Sequence, residues 1–372
     1  EAMPLRILEF GDNHAAGYAG KLFTRWGAEV IRVDAAESVS PFPHRAEHVA
    51  VDLYLHAGKT RMAIDYEKPV GRQLLHRLAQ KVDILITDLT AADLDLLEWS
   101  SLGGSDLKIR TAITPFGMNG PKRNWLASSN VLLAMGGLTY LMGDADRAPL
   151  TMPGRYIFYQ SGQYAYAASL ATHRLQPTEA QTIDVSMHEV ALSLHQFTTV
   201  MWTFGERIRS RHGNDFGVLH PITMYPCKDG WFAVNADVTF WDVFTIMLGK
   251  PELADDPRFA TVLDRVEHCK ELDAIVIEQL GNKTRRELLD LGQEVCRMPT
   301  GILTTLPELL EDPHLSERNF WQTLTVNGRE LKVPGSSFRY VGQNPPSEPS
   351  PSASVDATRF ATALSERATR HD

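Results

Sequence analysis

His14, Gly17 and Gly20 lie between two apolar runs, residues 5–10 and 29–34. Small residues opening a helix let a phosphate approach backbone N–H groups, and Asp34 closes the second run, where an acid can hold a ribose hydroxyl. The pattern is incomplete: Gly17-Tyr18-Ala19-Gly20 is only part of a dinucleotide loop. The same small residues equally allow a helix to pack closely on a sheet. Asp144-Ala145-Asp146 and Asp255-Asp256-Pro257 are carboxylate pairs, but both read as turns. Cys227, Cys269 and Cys296 are far apart and form no C-x-x-C, and His188-Glu189 lacks the second histidine of a zinc helix. No metal site is expected, and no Ser-His-Asp grouping can be assembled from spacing.

The elements that position these residues alternate. Residues 5–10 read as a buried strand, and Leu22, Phe23 and Trp26 share one helix face. Gly27 closes that helix and residues 29–34 return as a strand, completing a β-α-β unit. Strands are expected at 62–64, 83–87 and 109–114, and helices at 71–81, 130–141 and 163–173. Such alternation predicts an α/β fold, with a parallel sheet covered on both faces.

After Arg211 the character changes. Lys228-Asp229-Gly230 reads as a hairpin turn into an alternating strand, followed by helices at 241–249, 265–279 and 285–291. Residues 331–334 and 338–341 read as returning strands. The expected organisation is a large Rossmann-like domain over 1–205, a smaller α+β domain over 206–325, and a return to the large domain over 326–343. Residues 344–372 read as a Pro/Ser-rich linker and tail.

Composition narrows the class. The 372 residues are 43% hydrophobic and 22% charged with a net charge of -9, a globular balance with no basic patch for nucleic acid. No run approaches the roughly 20 apolar residues that span a bilayer. Residues 1–6 show no secretory pattern, so a cytoplasmic location without a membrane partner is expected.

Several segments, in order, resemble the family III CoA-transferases, the CaiB/BaiF group that includes formyl-CoA transferase, carnitine CoA-transferase and alpha-methylacyl-CoA racemase. They are Ala15-Ala16-Gly17 with Gly27-Ala28-Glu29-Val30-Ile31-Arg32-Val33-Asp34, His56-Ala57-Gly58-Lys59-Thr60-Arg61, and Pro115-Phe116-Gly117-Met118-Asn119-Gly120-Pro121. Cys227-Lys228-Asp229-Gly230-Trp231, Asp255-Asp256-Pro257-Arg258-Phe259 and Glu311-Asp312-Pro313-His314-Leu315 continue the likeness to about Gly342.

The resemblance implies two interlocked ring-shaped protomers and a covalent mechanism, in which an aspartate attacks the thioester and carries the acyl group as a mixed anhydride. Here Pro149 and Gly162 anchor the segment and place Phe158 at the nucleophile, and no carboxylate lies between Ala148 and Arg174. The CoA site departs as well: the family's asparagine becomes Asp88 and its arginine Leu96, which works against phosphate binding. His14, Arg32 and Lys59 remain as CoA-contact candidates, with surface positions as the alternative for the two cations. In the racemase pattern, the histidine falls at Ser128 and the aspartate again at Phe158.

The leading expectation is a non-catalytic subunit of a heteromeric CoA-transferase whose homologous partner supplies the aspartate. Altered chemistry using Tyr156, Tyr159, Gln160 or Ser161, and a binding protein without acyl-CoA chemistry, are the alternatives. CoA or acyl-CoA is the candidate substrate, no cofactor is expected, and the assembly is a homodimer or a heterodimer.

Overall fold

The computed structural model describes residues 4–11, 14–35, 46–326 and 329–343. The expected linker and tail over 344–372 lie outside them. Two compact units emerge: Glu1–Thr139 with Thr151–Glu206 and Pro313–Asp372, and Tyr140–Leu150 with Arg207–Asp312. The small unit thus also takes a strip at 140–150, and the chain returns to the large unit from residue 313.

The large unit opens with β1 (Arg6–Phe10), α1 (His14–Arg25), β2 (Glu29–Ala35), α2 (Ala46–His56), β3 (Thr60–Ile64), α3 (Pro69–Ala79) and β4 (Ile84–Thr87). It continues through α4 (Ala91–Leu96), β5 (Ile109–Thr114), α5 (Ser129–Met135), α6 (Tyr156–Arg174), β6 (Gln181–Ser186), α7 (Met187–Ser193) and α8 (Gln196–Gly205). Its six strands pair in the order β3-β2-β1-β4-β5-β6, every neighbour parallel. Burial on both faces explains the near-continuous apolar strands. Leu8 and Phe10 of β1 join one core with Leu75, Leu78 and Trp99, whereas Ile7 joins the opposite core with Ala16, Phe23 and Phe158. The strand order reverses between β1 and β4, and in open α/β sheets the crevice beyond the strand ends at such a point is where ligands bind.

Gly27 adopts φ 89° after α1, the left-handed turn that glycine makes without steric cost. Helix α6 lies against α1 at Gly162, where a Cβ would stand 2.6 Å from the Ala15 carbonyl oxygen. The expected helix over 130–141 stops earlier, because α5 ends at Met135 and only a short 3-10 turn follows at Thr139–Leu141.

The small unit comprises β7 (Ile222–Cys227), β8 (Gly230–Asn235), α9 (Trp241–Met247), α10 (Val262–Glu267), α11 (Cys269–Leu280), α12 (Arg285–Leu289), β9 (Thr300–Ile302) and α13 (Leu306–Leu310). Cys227 pairs with Gly230 across the two-residue hairpin turn, and β9 adds an antiparallel third strand. Tyr225, Phe232 and Val234 pack on Phe244, Leu272 and Val276 as a separate core. The helix expected over 265–279 is two helices, since His268 caps both the end of α10 and the start of α11. Thr261 with Asp264 forms a capping box that fixes where α10 begins.

Back in the large unit, α14 (Pro313–Glu317) precedes a hairpin of β10 (Trp321–Val326) and β11 (Arg329–Pro334). No strand forms at 338–341. Instead Phe338 stacks on Trp26 at 4.5 Å and 14°, and Tyr340 meets the same indole edge-on. Aromatic stacking onto the end of α1 thus replaces the expected ladder.

Candidate functional site

At the β1–β4 reversal, Gly11 follows β1 and Asp88 follows β4. Asp88 is 1% exposed, and its Oδ2 accepts the backbone N–H of Ala16, in the first turn of α1, at 2.9 Å. Gly11 has φ 137°, and a Cβ there would stand 2.0 Å from Asp88 Oδ1, so only glycine lets the carboxylate settle. The unpaired N–H groups and partial positive charge of a helix start attract an anion. The chain's own carboxylate supplies it.

Below this point lies an ion network that the sequence reading did not foresee. Glu9 of β1 is 0% exposed. Lys59 Nζ donates to Glu9 Oε2 at 2.6 Å and to the Gly17 carbonyl at 2.7 Å. Arg32 bonds Glu9 Oε1 at 3.2 Å, the Gly11 carbonyl at 2.6 Å and Asp34 Oδ1 at 3.0 Å. Arg61 joins Asp34 to Asp52 at 2.9 and 2.7 Å. Lys59, Arg32 and Arg61 are thus paired with Glu9, Asp34 and Asp52, while Asp88 adds its charge at Arg32 and the buried Lys21 adds its own at Lys59.

The protonation states follow from position. Burial lowers the Lys59 ammonium to about 8, against the pull of Glu9. Burial also disfavours charge on Arg32, yet Glu9 and Asp34 hold it protonated above its ordinary range. Although burial opposes it, bonds from Arg61 and Arg32 keep the Asp34 carboxyl below the usual value. Burial, then Lys59, push His56 well below 6.5, so it is neutral.

The candidates now have places. Lys59 and Arg32, 0% and 7% exposed, do not sit on the surface; an acid inside a buried strand draws them in, because an unmatched buried charge is costly. Gly17 and Gly20 make room for this network: a Cβ on Gly20 would stand 1.7 Å from Glu9 Oε2. Asp34, the ribose-acid candidate, is committed to two arginines. The signal available in the sequence was the acid at Glu9 between the apolar Leu8 and Phe10 of β1.

His14 opens α1, and its Nε2 lies 2.9 Å from Arg155 Nη1, just before α6. Tyr159 packs edge-on against Tyr18 at 5.0 Å and lies 6.5 Å from the His14 ring. Burial raises the Tyr159 hydroxyl above its ordinary value. Phe158, in the first turn of α6, is 7% exposed and belongs to the core beside Ile157, Ala165 and Ala16. Ser161 spends its hydroxyl on the Ile157 carbonyl at 2.8 Å. Ser128 caps α5, and Leu96 ends α4 at 73% exposure. His14 and Phe158 are thus gathered where α1 and α6 meet, while Arg32 and Lys59 lie in the ion network under α1.

No helix among the described residues is long and apolar enough to cross a membrane. Residues 4–356 match the family described as CoA-transferase family III. The chain is 32% identical over 330 residues to succinyl-CoA–D-citramalate CoA-transferase of Chloroflexus aurantiacus, covering 84% of this chain and 81% of that one. It is 26% identical to the succinyl-CoA:(R)-benzylsuccinate CoA-transferase subunit BbsE of Thauera aromatica, covering 88% and 87%. A CaiB/BaiF family protein from Brucella suis superimposes with a TM-score of 0.80 at 21% identity, over 97% of this chain and 98% of that one. The chain belongs to CoA-transferase family III.

Proposed function

We propose that this chain is the non-catalytic subunit of a heteromeric family III CoA-transferase, in which a homologous partner carries the nucleophilic aspartate. The observation that supports this most is Phe158. The resemblance puts the nucleophile there, the side chain is buried in the core, and no carboxylate lies between Ala148 and Arg174. In such an enzyme a carboxylate attacks the thioester carbonyl, CoA thiolate leaves, and the acyl group rests on the aspartate as an anhydride. A phenyl ring cannot form that bond. Asp88 and the Glu9 network support the same reading, because Asp88 takes the Ala16 N–H at the start of α1 and Glu9 engages both Arg32 and Lys59, the groups a phosphate would use. The relative BbsE is itself named as a subunit.

Tyr159 does not favour altered chemistry, since burial raises its hydroxyl and makes the phenolate scarcer. The test is to purify the chain alone and with a co-expressed homologous subunit, supply succinyl-CoA with carboxylic acid acceptors, and map acyl adducts by mass spectrometry. Transfer and an aspartyl adduct on the partner are expected only for the pair. Turnover by the isolated chain at rates typical of enzymes would overturn the proposal.

A further inference from the structure

In the small unit, three residues distant in sequence meet: Asp215, His220 just before β7, and Asp273 on α11. His220 is 3% exposed. Its Nδ1 lies 3.4 Å from Asp215 Oδ1 and its Nε2 lies 3.0 Å from Asp273 Oδ1. Each ring nitrogen therefore faces its own carboxylate. Tyr225 donates its hydroxyl to Asp273 at 2.7 Å, and Arg265 donates to the His220 backbone carbonyl at 3.1 Å. Asn214, Asp215 and Phe216 form one wall of a cavity of about 540 Å³ whose other side is the sheet, at Thr223, Ala233 and Asn235.

Donor atoms of these three residues lie within 4.8 Å of one another, close enough to consider a metal ion. The contacts argue otherwise. The two ring nitrogens of an imidazole point away from each other, so one ion cannot replace both pairs. A protonated ring donates from both nitrogens at once.

We propose that His220 is a doubly protonated clasp, bridging Asp215 to Asp273, which fixes the Asn214–Phe216 wall of this cavity and holds a proton rather than a metal ion. Burial opposes the charge, yet the two carboxylates raise the ring from 6.5 to about 9. The His220 ring, 3.4 Å away, in turn holds Asp215 below its ordinary value. Because the folded value is the higher, the clasp contributes fully below the unfolded value of about 6.5 and is lost as pH rises through about 9. The other groups facing it are Thr223 and Tyr225 of β7, Cys269 of α11, Arg265 of α10, and His212 beside Asp215. Burial, first, lifts both the Tyr225 hydroxyl and the Cys269 thiol. A His212→Gln control separates the remaining imidazole.

The experiment follows ring nitrogens by NMR in the full chain labelled with 15N-histidine, from about pH 6 to 10.5, a range that brackets the free and clasped values. Both nitrogens of His220 are expected to carry protons at neutral pH, with one proton leaving near pH 9. Asp273→Asn should lower that midpoint by about one unit or more and speed amide exchange around Asp215 on the order of tenfold. A ring that is singly protonated at neutral pH, or that titrates near 6.5, overturns the proposal even if the variant does not fold. Stoichiometric zinc binding that displaces a ring proton overturns it too.

Discussion

The carboxylate of Asp88 accepts the Ala16 backbone N–H at 2.9 Å and so occupies the start of α1. This bond crosses from the end of β4 to the helix after β1, at the reversal of strand order. Asp88→Ala is expected to destabilise the fold by about 1–2 kcal/mol, as loss of a helix cap does. Gly11→Ala should also destabilise, because φ 137° and the nearby Oδ1 both oppose a methyl group. Urea unfolding midpoints check both.

Glu9 pairs with both Lys59 and Arg32 away from solvent. Glu9→Gln removes one partner of a buried pair, and a loss of about 3–5 kcal/mol is expected. Combining Glu9→Leu with Lys59→Met should cost less than Glu9→Gln alone, since the pair then vanishes together. Equal or greater loss in the double variant would show that the pair is not the unit that matters.

Phe158→Ala should cost about 3–5 kcal/mol, the range for truncating a buried aromatic. Phe158→Asp should destabilise further, because its carboxyl enters the same apolar core and its pKa rises. Thermal unfolding orders the two. A Phe158→Asp variant as stable as wild type would mean that the pocket is already built for an acid.

Helix α8 presents Trp202 and Phe204 at 54% and 92% exposure. If a homologous subunit covers this helix, Phe204→Asp should weaken association with the co-expressed partner at least roughly tenfold, as loss of a buried aromatic anchor does. Stability of the isolated chain should change by no more than about 0.5 kcal/mol, as is usual at exposed positions. Sedimentation of the pair and unfolding of the single chain measure the two effects. Unchanged association would remove α8 from the contact surface.

Trp26 holds the segment after β11 by stacking on Phe338 and Tyr340. Trp26→Ala should release it, at about 0.5–1.5 kcal/mol for each aromatic pair lost. Limited proteolysis beyond Pro334 should then quicken before the rest of the chain is cut.

Local sequence determined much of this protein. The strand at Ile109–Thr114 matches the expected limits, the hairpin turns at Lys228-Asp229, and Gly27 stops α1, because each depends on a few neighbouring residues. The absence of a carboxylate between Ala148 and Arg174 is likewise plain in the sequence, but the helix expected from residue 163 begins at Tyr156 and takes in Phe158. Partnership was a different matter. Lys59 meets Glu9 across 50 positions and Asp88 meets Ala16 across 72, so only the parallel order of β1, β2, β3 and β4 could bring them together. Arg32 and Lys59, read as contacts for a ligand or as surface charges, became buried partners of Glu9. An ion's role is set by which opposite charge is nearest once water is excluded, and the tertiary structure alone decides that distance.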